Sequence, residues 1–87
     1  MRSGDKETVL FFQEHIVNGT VLRYQLSEKG GFREISVSAI EPSGRQLRSV
    51  LYDLSESKAL CLGFILCLHQ TKSDPRVLYE LWEEYPK

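Results

Sequence analysis

The chain has 87 residues, enough for one modest core and too few for two independent domains. With 41% apolar and 26% charged residues, its composition is that of a folded globular domain and not of a disordered segment. The formal charge of -1, from 11 basic and 12 acidic residues, leaves no global field to gather polyanions, so nucleic-acid binding would need a local patch.

Residues 1–7 are polar and read as a frayed tail on a single domain spanning 1–87. No apolar run follows their positive charges, which argues against an export signal and for a cytoplasmic protein. From Thr8 the chain turns β-branched and aromatic, predicting a first strand that ends at Ile16 or Val17. Asn18-Gly19 then sits between two apolar stretches, the pattern of a type I′ hairpin turn in which both central residues take positive φ. A second strand starts at Thr20, where Leu22, Tyr24 and Leu26 alternate with Arg23 and Gln25 as in a sheet with one wet side. Gly30-Gly31 interrupts it. In the third strand Ile35, Val37 and Ala39 alternate with Glu34, Ser36 and Ser38, until Glu41-Pro42-Ser43-Gly44 supplies turn residues. A fourth strand covers about Gln46 to Tyr52, with Tyr24 and Tyr52 both expected on the inner face.

Asp53-Leu54-Ser55-Glu56 contains a capping-box pattern, with Asp53 or Ser55 as cap, and starts a helix that runs to about Gln70. Its segment Ala59–Leu68 is uncharged and apolar nearly all round, so it should be covered on two sides. At ten residues it is half the length that a membrane span requires. Asp74 and Pro75 predict a second helix, whose stripe of Val77, Leu78, Leu81, Trp82 and Tyr85 opposes Arg76, Glu80, Glu83 and Glu84 until Pro86 ends it. The expected fold is α+β: an antiparallel meander of about four strands followed by two helices packed on one face.

Both cysteines, Cys61 and Cys67, fall in the apolar helix. Their Cα atoms would lie roughly 9 Å apart along it, too far for a disulfide, so both read as free, shielded thiols in a reducing compartment. Burial in apolar surroundings also blunts them as nucleophiles. Cys67 and His69 point about 160° apart on a helix and make no metal site, while His69 near the helix end suits the dipole as a solvated side chain. Gly30-Gly31 precedes a strand, not a helix, and so lacks the context of a dinucleotide fingerprint. The reading is therefore of a protein without catalytic, cofactor or metal residues.

Val50-Leu51-Tyr52-Asp53-Leu54-Ser55 entering a helix, then Asp74-Pro75-Arg76-Val77-Leu78 and the closing Glu83-Glu84-Tyr85, resembles a family of small uncharacterised proteins from spore-forming Gram-positive bacteria over about residues 20–85. That family has no assigned activity, so the resemblance implies no site residues. Two strongly apolar helices and a sheet must share a small core, and surplus apolar surface marks a partner site. The expected function is a non-enzymatic protein–protein interaction or regulatory module, with Leu78, Trp82 and Tyr85 as the interface and a homodimer among the expected assemblies. The alternative is a nucleic-acid-associated regulator using Arg23, Arg33, Arg45 and Arg48 on the wet sheet face.

Overall fold

The structure, a computed structural model, describes residues 6–87, so the expected tail lies mostly outside the described residues. Four strands, β1 (Thr8–Val17), β2 (Thr20–Lys29), β3 (Phe32–Ile40) and β4 (Gln46–Leu54), form one antiparallel sheet in the order β1-β2-β3-β4. Two helices follow, α1 (Lys58–Thr71) and, after a 3-10 turn at Pro75–Val77, α2 (Leu78–Glu84). This is the expected α+β meander with both helices on one face.

Turn chemistry sets the register. Asn18 and Gly19 have φ of 52° and 81°, the paired positive values of a type I′ turn, and Val17 closes on Thr20. Gly30 and Gly31, at 59° and 84°, make a second two-residue turn between Lys29 and Phe32. Because side chains alternate with period two, this register sends Leu22, Tyr24 and Leu26 to the same side as Ile35, Val37 and Ala39. Leu26, Ile35 and Leu51 form one row across three strands. The helices cover that side with Cys61, Phe64, Ile65 and Leu68, at the i, i+3, i+4, i+7 spacing of one helical face, and with Leu78. Each fully buried aliphatic side chain here contributes roughly 1.5–3 kcal/mol.

Three local expectations are corrected. β4 runs past Tyr52 to Leu54, because a register break opposite Arg33–Ile35 lets Leu54 re-enter the core at 8% exposure. Asp53 sits in that irregularity with φ of 52°, so it is not the helix cap. Ser57 is the cap, accepting from the Leu60 amide at 3.1 Å. Tyr52 faces outward at 64% exposure.

The helix layer is thinner than the apolar run implied. α2 has only seven residues and shields one flank of α1, through Phe64 against Trp82 and Tyr85 with ring centroids at 4.9 and 5.0 Å. Leu66 remains 40% exposed and Cys67 is exposed, so of the two cysteines only Cys61 is shielded. A helix exists here because its inner face is buried, not because its whole circumference is covered.

Candidate functional site

Of the expected protein interface, Leu78 is fully buried, held between sheet and helix as a core residue. Trp82 and Tyr85 are half-buried and pack on Phe64. Tyr85 and Leu81 instead form, with Phe64, Cys67, Leu68 and Pro86, the walls of an apolar groove of about 440 Å³ between α1 and α2. Beside it runs the outer side of α1, with Ala59, Leu62 and Leu66 at helical spacing and no charged residue among them.

The four cations of the alternative reading do not form one patch. Arg23 and Arg48 share the helix-free face, on either side of Ser38 in the register. Arg23 is already paired with Glu14 at 2.6 Å. Arg45 is exposed in the turn before β4. Arg33 lies on the opposite face, because it is two residues from Ile35 and shares its side: its guanidinium donates to the Glu56 carbonyl at 2.6 Å and meets Glu28 at 3.2 Å. It joins the sheet to the start of α1. The helix-free face does carry exposed Phe12, Phe32 and Tyr52, aromatics that alternation alone had not put beside the cations. At the end of the sheet a hollow of about 180 Å³ is lined by Phe32 and by Glu7, Lys29, Arg33, Glu34 and Asp53, charges of mixed sign.

The two histidines meet, although 54 residues separate them. His15 points from β1 toward the helices and its Nε2 lies 2.6 Å from Nδ1 of His69 near the end of α1. The ring planes are 9° apart with centroids at 4.6 Å. Face-to-face rings keep their atoms at about 3.5 Å, so a 2.6 Å approach means the nearly parallel rings meet edge to edge in an N–H···N hydrogen bond. One ring donates and the other accepts, which requires at least one of them to be neutral. Phe11 and Tyr24 enclose the pair, with ring centroids 5.7 and 6.4 Å from His69. Burial, followed by the charges of His69 and Lys72, holds His15 below the ordinary histidine range. The facing nitrogens are spent on each other, and among the described residues no group of three or more His, Cys, Asp or Glu side chains converges as metal ligands would.

Below this pair, Tyr24 is fully buried and its hydroxyl donates to the Ser73 carbonyl at 2.8 Å, tying β2 to the end of α1. Desolvation, with a contribution from Asp74, pushes its pKa up to about 12. Among the described residues, no helix is long and apolar enough to cross a membrane.

Local spacing could not have exposed the histidine pair, since each residue alone looks like an ordinary solvated side chain. A weaker signal was present in β1, whose ten residues contain neither lysine nor proline although the strand lies at the sheet edge. No family model matches the chain, and no curated protein or solved structure is significantly similar to it.

Proposed function

We propose that the protein is a non-enzymatic interaction module that takes the apolar face of a partner segment on the outer side of α1. One observation carries this reading: α1 exposes Ala59 and Leu66 on its outer side, and its Phe64 and Cys67 form with Leu81 and Tyr85 an apolar groove against α2. Isolated exposed apolar residues are ordinary, whereas a contiguous patch beside an apolar groove is the form of a binding surface. An amphipathic helix laid along such a groove would bury it. Two unpaired thiols support a reducing, cytoplasmic setting for the complex.

Parallel affinity capture from the source cell with the wild-type protein and Leu66→Asp tests this reading. The exposed site tolerates the charge, so the variant should keep its stability within about 0.5 kcal/mol. A protein retained by the wild type and lost by the variant supports the proposal; equal retention by both, or none by either, overturns it.

The second reading, a single-stranded nucleic-acid platform, is favoured by exposed Phe12 and Tyr52 sharing a face with Arg23 and Arg48. Against it, Glu14 neutralises Arg23, and Glu34 adds a further carboxylate to the same face. Binding of an oligonucleotide that weakens steeply with salt and is lost in Phe12→Ala would favour this reading over the first.

A further inference from the structure

A sheet edge exposes a row of unpaired amides and carbonyls, and proteins that remain monomeric guard such edges with lysine, proline, bulges or a covering element. The two edges of this sheet are treated differently. Along β4 the 3-10 turn and α2 pack against the strand, the Tyr79 hydroxyl donates to the Val50 carbonyl at 2.9 Å, and the register breaks at Asp53. Along β1 the one irregularity is a bulge between Val9 and Phe11. From Phe11 to Val17 the strand is regular, and Phe12 and Ile16 are 48% and 73% exposed.

The hairpin turn decides which backbone groups are free. A two-residue turn makes Val17 and Thr20 a bonded pair, and bonded pairs alternate along an antiparallel ladder. His15, Gln13 and Phe11 therefore bond to β2. The amides and carbonyls of Ile16, Glu14 and Phe12 point away from the sheet.

We infer that β1 pairs antiparallel with β1 of a second copy of this chain, about a twofold axis at Gln13, to make one eight-stranded sheet. The strand suits its own edge. Its one carboxylate in the regular segment, Glu14, is already neutralised by Arg23, and the apolar side chains Phe12 and Ile16 lie on the same face. A twofold axis perpendicular to the sheet keeps like faces together, so only a few registers are open. Centring on Gln13 sets Phe12 opposite Glu14, Phe11 opposite His15 and Ile16 opposite Leu10 of the second copy, with no like charges facing. Centring on Glu14 would oppose the two carboxylates. Centring on His15 would bring both histidine pairs and both Lys72 side chains together. Centring on Phe12 would run the ladder into the bulge at Leu10 sooner on each side. In the Gln13 register both helix layers lie on the same side, so the dimer presents two α1 surfaces on one face, running in opposite directions.

The register gives the test. Gln13 would face its own copy as a non-bonded pair with Cα atoms at ~4.5 Å, inside the range of a disulfide. In a Cys67→Ser background, Gln13→Cys should form a covalent dimer under mild oxidation about tenfold faster than Glu14→Cys, whose copies are offset along the ladder. Sedimentation should give a dimer for the wild type and a monomer for Glu14→Pro, because proline there removes an outward amide and no internal ladder bond. Ile16→Lys, a surface change that restores an edge guard, should also give a folded monomer. A wild-type monomer at several hundred micromolar, or equal crosslinking at the two positions, overturns the inference. So does dissociation by Leu66→Asp with Glu14→Pro still dimeric, which would place self-association on the helices; loss of the captured partner alone would bear on the helix surface and leave the β1 pairing standing.

Discussion

His15 and His69 share one hydrogen bond, 2.6 Å between facing nitrogens, and it joins the edge strand to the end of the helix that covers the sheet. Protonating both rings would replace that bond with two facing cations beside Lys72. Burial, reinforced by the charges of His69 and Lys72, holds His15 below its unfolded value near 6.5, so the folded state binds fewer protons than the unfolded chain in the window beneath that value. Stability present above about pH 6.5 should be lost as pH falls through the lowered folded pKa. Urea midpoints measured from pH 7.5 to 5 should decline over this window, and His15→Gln should flatten the decline. An unchanged slope in the variant would assign the acid loss to other groups.

Tyr24 makes the opposite prediction at the alkaline end. Its pKa of about 12 in the folded state, against an unfolded value near 10, means that the native protein keeps a proton that the unfolded chain releases. Stability should fall as pH rises from 10 through about 12. Tyr24→Phe should cost about 1 kcal/mol at neutral pH, by stranding the Ser73 carbonyl, and should abolish that alkaline limb. Thermal melts of both proteins at pH 7 and 10.5 provide the measurement.

The thiols should separate cleanly. Cys67 is exposed, whereas Cys61 is fully buried and desolvation raises its pKa, opposed by Arg33 and reinforced by Glu56. A native-state thiol assay should titrate one thiol per chain quickly and the second only after denaturation. Rapid reaction of both would mean that α1 opens on the timescale of the assay.

The order of the strands along the chain, the Asn18-Gly19 turn and the side-chain alternation of β2 and β3 were legible because each depends on neighbours in sequence, whereas Gly30-Gly31 showed only as a break. Asn18-Gly19 needs no distant partner to favour positive φ, and Leu22, Tyr24 and Leu26 show their common face by spacing alone. What the sequence concealed depends on lateral contacts. The bulge at Asp53 shifts Leu54 into the core and moves the helix cap to Ser57, an outcome determined by packing opposite Arg33. Arg33 itself looked like a member of a basic face because cations are usually solvated, and only the register shows it pointing to the helix side. The histidine pair required the positions of β1 and α1 together. The exposed side of α1 was concealed by the apolar run, which gives the helix its buried face but says nothing about how short its cover would be.

Asn18-Gly19 supplies a further prediction about the turn that sets the β1 register. Gly19 has φ of 81°, and a Cβ placed there would lie 3.1 Å from Pro42 Cγ. Gly19→Val should therefore lower stability by about 1–3 kcal/mol, from backbone strain together with crowding against the neighbouring turn. Gly44, with φ of 93° and open space around it, should show the strain without the crowding, so Gly44→Val should cost less. Equal losses at the two sites would show that the Pro42 contact contributes nothing.

Arg33 is the side chain whose loss should be most costly among the charged residues. Its side chain is only 16% exposed and that of Glu28 33%, so this pair is less solvated than the Arg23–Glu14 pair on the helix-free face. Arg33 also donates to the Glu56 carbonyl, ahead of the Ser57 cap, and thereby fixes where α1 begins relative to β3. Its Nε is buried without a partner, so part of the arrangement already carries a desolvation cost. Truncation in Arg33→Ala removes the packed stem and strands both Glu28 and the Glu56 carbonyl, for an expected loss of roughly 2–4 kcal/mol. Arg33→Met keeps most of the stem and leaves no unpartnered Nε, so its cost should be about half as large. Arg23→Ala, which breaks an exposed pair, should cost under about 1 kcal/mol. Denaturant unfolding of the three variants orders these effects. If Arg33→Met proves as damaging as Arg33→Ala, the polar contacts to Glu28 and to the start of α1 outweigh the packed stem.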